Sequence, residues 1–265
     1  MTSIDHRWQR FTLKQKLSRF TVYLIFVVAF VLSVRTVEVI PEFFFDAPEQ
    51  MMDMFSRMWP IDTAFYPISV HDALIETLNI ATLGTLVTLI FSIPLALINA
   101  SNVVASPWAH WIARFFLVSS RSVNSLVWAL LFVAIFGPGV LAGVLAIAFR
   151  SVGFVGKLLA EALEEINMGS IEALRATGAP WGAVLLKGYW PQVMPAFFSI
   201  VLFRWDINVR ESAVLGLVGA GGIGVVLNDS MNLFQWQQVA TSLLAIFAVV
   251  VMAEILVVKV RERLI

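Results

Sequence analysis

The chain has 265 residues, of which 59% are hydrophobic and 14% charged, with a mean hydropathy of +0.85. Soluble domains are roughly one quarter charged, so this depletion, together with 21 Phe and 9 Trp, marks lipid as part of the solvent. The 18 basic and 18 acidic residues cancel, the absence of cysteine excludes disulfides and thiolate chemistry, and three scattered histidines (His6, His71, His110) argue against a metal site.

A spanning helix needs about 20 mainly apolar residues. The N-terminal apolar run is preceded by mostly polar residues and lacks a small-residue cleavage site, so it reads as a retained span over 20–40 rather than a cleaved signal. The second span is expected over 77–99, with Pro94 inside it, and the third over 116–136, ending at Gly137-Pro138-Gly139. The fourth covers 140–155 and is interrupted by Arg150; the fifth covers 195–217; the sixth covers 239–258 and is interrupted by Glu254. The expected fold is therefore all-α, a polytopic membrane bundle of about six helices forming one domain over 1–265.

Charge asymmetry orients such a bundle. Arg7, Arg10, Lys14, Lys16 and Arg19 precede the first span against Asp5 alone, and Lys259, Arg261 and Arg263 follow the last span against Glu262. Both ends, including segment 1–19, are expected in the cytoplasm. The loop over 41–76 carries seven acids (Glu42, Asp46, Glu49, Asp53, Asp62, Asp72, Glu76) against Arg57 and is expected outside. Two cytoplasmic ends require an even number of spans, which agrees with six. The segment 157–194 then lies inside. It is far longer than the 2–8 residues that usually join helices, so it is expected to do more than connect. Its apolar positions Leu158, Leu159, Ala162, Leu163 and Ile166 recur at helical spacing, and a second amphipathic piece over 170–177 stops at Gly178. A plain interfacial connector on the membrane surface is the alternative reading of this segment.

Glu172-Ala173-Leu174, then three residues, Gly178, nine residues, and Gly188-Tyr189-Trp190-Pro191 resemble the cytoplasmic EAA loop of binding-protein-dependent ABC importers, E-A-A-x3-G-x9-I-x-L-P. Glu172, Ala173, Gly178 and Pro191 fall on matching positions; Leu174 replaces the second Ala, Gly188 the Ile and Trp190 the Leu. The run 203–212, FRWDINVRES, continuing as AVLGLVGAGGIG to Gly224, and the stretch from Ser122 to Gly139, are similar to phosphonate-type permeases. The resemblance covers most of the chain from Ala73 onward. It implies a type I (MetI-like) ABC importer permease in the bacterial inner membrane, carrying phosphonate, phosphite or a similar small phosphorus oxyanion. The EAA-like residues would dock on the ATPase. It further implies a second permease subunit (identical or related), two ATP-binding subunits and a periplasmic substrate-binding protein. It implies no cofactor in this chain, no catalysis and no nucleic-acid partner. A methionine-type or other small-solute importer is the alternative within the class, and a self-sufficient secondary transporter or channel the alternative outside it. The chain has no G-x-x-x-x-G-K-[ST] motif, so an ATP-driven system needs its ATPase elsewhere.

Arg204, Asp206, Asn208, Arg210 and Glu211 stand inside the fifth span. A charge at the bilayer centre costs at least about 2.5–3.5 kcal/mol, so these groups should face protein or water. Arg204 or Arg210 paired with Asp206 or Glu211 would tie helices together; an arginine lining a pathway would instead attract an oxyanion, whose geometry guanidinium matches. Arg204 and Asp206, two residues apart, do not face each other, so a partner for Arg204 is expected on another element or at Asn208. Gly219, Gly221, Gly222 and Gly224 formally match G-x-G-x-x-G, but no strand precedes them and no acid lies about 20 residues on, which argues against a dinucleotide site. They are expected to allow close packing, a helix break, or a gate at the external mouth.

Overall fold

The computed structural model describes residues 11–37 and 42–264; residues 1–10 of the basic N-terminal segment and the 38–41 stretch, with Glu38, lie outside the described residues. Among the described residues there is no strand. Residues to Ser56 form one compact unit and those from Arg57 a second.

The first unit contains α1 (Leu13–Thr36) and most of α2 (Glu42–Met58). From Phe20 to Val34 helix α1 is apolar around nearly its whole circumference, and none of its residues is buried, the state of a helix solvated by hydrocarbon. The acidic segment is not a plain loop. Helix α2 places Glu42, Asp46, Glu49 and Asp53 at spacings of four, three and four, on the face opposite Phe44, Met51, Phe55 and Met58.

In the second unit a π-helical turn, Tyr66–Val70, runs into α3 (His71–Asn99), so the second span starts well before residue 77. The expected third span is two helices, α4 (Pro107–Ser122) and α5 (Ser125–Phe136), meeting at 92°. The break has a local cause. Val123 is extended, and the Asn124 side chain caps α5 by accepting from the Leu126 N–H at 3.1 Å. Helix α6 (Val140–Glu164) continues nine residues past the expected end of the fourth span. After it come α7 (Met168–Ala176), α8 (Trp181–Val184) and a second π-helical turn leading into α9 (Trp190–Leu215). Helix α9 starts five residues before 195, because Pro191 sits in its first turn, where a missing N–H costs nothing. A short 3₁₀ turn and a glycine loop lead to α10 (Ile223–Asn232), and α11 (Trp236–Leu264) closes the chain. Among the described residues four helical segments are long and apolar enough to cross a membrane, or up to six if each of the two bent pairs counts as one span.

The core is a close stack of α3, α6 and α9. Ala81, Thr85, Thr88 and Ser92 recur every three or four residues along α3 with Gly84 beside them, and Gly143, Ala146, Ser151, Gly153 and Gly156 are distributed along α6. All are buried. Small residues let membrane helices approach closely, which replaces the hydrophobic drive that lipid does not supply. Thr88 donates its hydroxyl to the Gly84 carbonyl at 2.7 Å, so that group is satisfied within its own helix.

Candidate functional site

Three neighbouring constellations carry the polar residues of the second unit. The first lies within the span. Glu211, on α9, receives Arg150 of α6 in a close ion pair and the Arg204 guanidinium of its own helix at 3.3 Å, so two cations share one carboxylate. Arg204 and Glu211 are seven residues apart, two turns along one face. Arg204 Nε also donates to Ser151 Oγ on α6 at 2.8 Å, Ser151 donates to Asn208 Oδ1 at 3.1 Å, and Asn208 Nδ2 donates to Thr85 Oγ1 on α3 at 2.8 Å. The chain of bonds ties α3, α6 and α9 together. Arg204 therefore has a partner on another element, as its helical position requires, and one on its own helix that the two-residue argument overlooked. Arg204 and Asn208 are buried, whereas the side chains of Arg150 and Glu211 remain 31% and 16% exposed.

Asp206 and Arg210 lie elsewhere on α9. Asp206 Oδ2 accepts from Arg210 at 2.5 Å, an i,i+4 pair, and Arg210 reaches Glu254 of α11 at 3.8 Å. The structure thus divides the five charged and polar residues of the fifth span. Arg204, Asn208 and Glu211 join α6, while Asp206 and Arg210 turn toward α11. Sequence reasoning noted Arg150 only as an interruption of an apolar run, and nothing in the sequence distinguishes Ser151 and Thr85 from other small polar residues in apolar helices.

The second constellation is the glycine loop. Gly219, Gly221 and Gly222 have φ near +80°, a region that side chains disfavour. Glu76, counted as part of the acidic loop from sequence, lies on α3 and accepts from the Gly222 N–H at 2.9 Å; Thr77 Oγ1 accepts from Ile223 N–H at 2.8 Å. These side chains hold the amino end of α10. Gly224 packs against Gly216, where an added Cβ would stand 2.7 Å from the Gly216 Cα. The run is thus a tightly packed turn braced by α3.

The third is the segment between α6 and α9. Lys157 to Glu164 belong to α6, and residues from Trp190 to α9, so the projecting part is 165–189. Asn167 caps α7 through the Gly169 N–H at 2.9 Å, and Gly178, φ +74°, reverses the chain after it. Ile171 is fully buried against Val184, Tyr189 and Val193. Glu172, Ala173, Arg175 and Ala176 are exposed, and Pro191 lies at the base of α9. Two of the three departures from the EAA pattern, Leu174 and Gly188, meet in space. A Cβ on Gly188 would stand 2.6 Å from Ile171 Cδ1 and 3.1 Å from Leu174 Cδ1. Leu174 fills room that a side chain at 188 would need, so the large residue in one position and the glycine in the other are reciprocal.

An all-helical membrane protein with small-residue seams, a polar network buried mid-span and a helix projecting between two long spans is built to move a solute and to be driven from outside the bundle. The chain belongs to the family of binding-protein-dependent transport system inner membrane components, whose model matches residues 90–264. It is 43% identical over 181 residues to the phosphite transport system permease protein PtxC of Stutzerimonas stutzeri, covering 68% of this chain and 66% of that protein. It is 36% identical over 212 residues to the phosphate-import permease protein PhnE of Mycolicibacterium smegmatis, covering 80% of this chain but only 40% of that protein. In fold it matches a chain of the MetNI methionine ABC transporter in an inward-facing conformation with a TM-score of 0.66, at 19% identity, over 74% of this chain and 96% of the other. The type I importer permease fold is thereby established, as is the chain's role as a non-catalytic permease subunit; ATP hydrolysis belongs to a separate ATPase subunit.

Proposed function

We propose that this permease carries a small tetrahedral phosphorus oxyanion, phosphite, phosphonate or phosphate, into the cytoplasm. The observation that carries the reading is the excess of positive charge where Arg150 and Arg204 share Glu211. Partly exposed charges inside a span cannot face hydrocarbon at reasonable cost, so the side of α6 and α9 on which Arg150 and Glu211 emerge faces water or protein. Guanidinium pairs match phosphorus oxygens bidentately. The names of the phosphite and phosphate relatives support the same class.

The permease works as a pair of identical or related subunits, with two ATP-binding subunits and a periplasmic substrate-binding protein, and both of its termini face the cytoplasm. Helix α7 docks on the ATPase through Glu172 and Ala173, with Leu174, Gly178 and Pro191 holding it rigidly to α9, so that movement of the ATPase rocks the span bearing Arg204. The acidic helix α2 and the glycine loop 219–224 lie at the outer face. Gly219, Gly221, Gly222 and Gly224 form a packed closure there.

The test is reconstitution in liposomes with the ATPase and binding protein. Uptake of phosphite, phosphonate, phosphate and methionine is compared for wild type, Arg150→Gln and Glu172→Arg. Arg150→Gln is expected to slow oxyanion uptake while ATP hydrolysis persists; Glu172→Arg is expected to abolish ATP-coupled uptake. Methionine uptake without oxyanion uptake sinks the substrate assignment in favour of the methionine type, to which a 32% identity over 90 residues with the Bacillus subtilis methionine import permease protein MetP points. Uptake without the ATPase sinks the ATP-driven mechanism.

A further inference from the structure

A cleft of about 440 Å³ opens where the ends of α3 and α6 meet α4. Its charged lining is His110, Arg114 and Arg121 from α4, and Lys157, Glu161 and Glu164 from α6. Both carboxylates are engaged. Glu161 accepts from Lys157 at 3.1 Å, and Glu164 accepts from the Ser101 N–H at 2.7 Å. Arg114 and Arg121 are exposed and make no ion pair or hydrogen bond among the described residues. The His110 ring nitrogens lie 3.1 Å from the Asn99 carbonyl oxygen and 2.7 Å from that of Val104. The cleft therefore holds three permanent cations, Arg114, Arg121 and Lys157, of which only Lys157 is ion-paired.

The neighbouring flank of α4 identifies what would fill it. Trp108, Trp111 and Phe115 follow one another at spacings of three and four and are all exposed, with the rings of Trp111 and Phe115 stacked at 5.9 Å. Exposed tryptophans at the end of a spanning segment sit at the level of the lipid headgroups, and basic pockets between membrane helices at that level receive anionic headgroups. The cleft thus lies beside the headgroup layer, with an apolar aromatic face leading away from it.

We propose that this cleft binds the phosphodiester of an anionic phospholipid, with Arg114 and Arg121 on the phosphate and the acyl chains against Trp111 and Phe115. The site is separate from the Arg150–Glu211–Arg204 cluster and does not depend on which solute the permease carries. Native mass spectrometry of the purified full-length chain, titrated with phosphatidylglycerol or phosphatidylcholine, tests it. Wild type is expected to retain phosphatidylglycerol preferentially. The double variant Arg114→Gln/Arg121→Gln should lower that association constant about thirtyfold, as expected for losing two basic contacts at the membrane surface, with phosphatidylcholine binding and thermal melting unchanged. Arg114→Lys/Arg121→Lys should keep most of the preference, and millimolar inorganic phosphate should not displace the lipid. Equal retention of phosphatidylglycerol by wild type and the Gln variant overturns the proposal. So does a lack of lipid preference combined with saturable, arginine-dependent binding of inorganic phosphate, which would make this a site for a soluble anion.

Discussion

Glu211 is the single carboxylate between two guanidiniums, and that arithmetic ranks the substitutions around it. Glu211→Gln leaves Arg150 and Arg204 facing each other with no counter-charge. Stranding buried charge in this way costs about 3–5 kcal/mol, so the melting temperature of the purified permease should fall sharply. Arg150→Gln leaves Arg204 and Glu211 as a neutral pair and removes only a partly exposed group, so its melting point should stay much closer to wild type. A larger loss for Arg150→Gln than for Glu211→Gln would show that the cluster is not organised around the carboxylate. A second residue-scale prediction concerns Leu174 and Gly188. Gly188→Ile overfills the space beside Leu174 and should destabilise by about 1–3 kcal/mol. Adding Leu174→Ala, which restores the small residue of the EAA pattern, should recover part of that loss, with a coupling of at least about 0.5 kcal/mol in a double-mutant cycle. Strict additivity would refute the reciprocal packing.

At the scale of elements, the glycine turn is held by α3 rather than by its own residues. Glu76→Ala removes the acceptor for the Gly222 N–H and leaves a part-buried donor unmet, a cost of about 1–3 kcal/mol. Hydrogen exchange should accelerate over 219–225 while α6 stays protected, and Glu76→Gln, which still presents an acceptor oxygen, should restore most of the protection. Unchanged exchange in Glu76→Ala would mean that glycine packing alone holds the turn. Helix α7 has a different design. Its inner side, Ile171 and Leu174, is fastened to the base of α9, and its outer residues Glu172, Ala173, Arg175 and Ala176 are left open. An exposed face on a helix held by a cap at one end and a reversal at the other can transmit a push without bending.

For the whole molecule, the natural absence of cysteine makes topology directly measurable. A single cysteine at Ala173, exposed on α7, should react with a membrane-impermeant maleimide only in inside-out vesicles. One at Gln50, exposed on α2, should react only in right-side-out vesicles. Labelling of both from the same side would refute the six-crossing arrangement with α2 outside and α7 inside.

Much of this architecture was legible in the sequence, because membrane insertion is governed by a sum over residues. An apolar run long enough to span is apolar in any tertiary context, so the long apolar helices fell close to where hydropathy put them, and the projecting segment and its matches at Glu172, Ala173, Gly178 and Pro191 were visible from length and spacing. Local rules also spoke against a dinucleotide site at the glycine run, since no strand precedes it and no acid lies about 20 residues on. What hydropathy could not show is where a continuous apolar run bends. The 92° break between α4 and α5 depends on one extended residue and the Asn124 cap, which leave the average untouched. Nor could it show which residues become neighbours across helices. Arg150 with Glu211, Ser151 with Arg204, Thr85 with Asn208, Glu76 with Gly222 and Leu174 with Gly188 are all pairings between separate segments of the chain, except that Leu174 and Gly188 are only fourteen residues apart. Sequence by itself determined that this chain lives in a membrane, where its long apolar helices lie and which family pattern it carries, because those follow from composition and spacing along one dimension. Only the tertiary structure decided which charges meet, because the rotation of each helix about its own axis is set by side-chain packing against its neighbours.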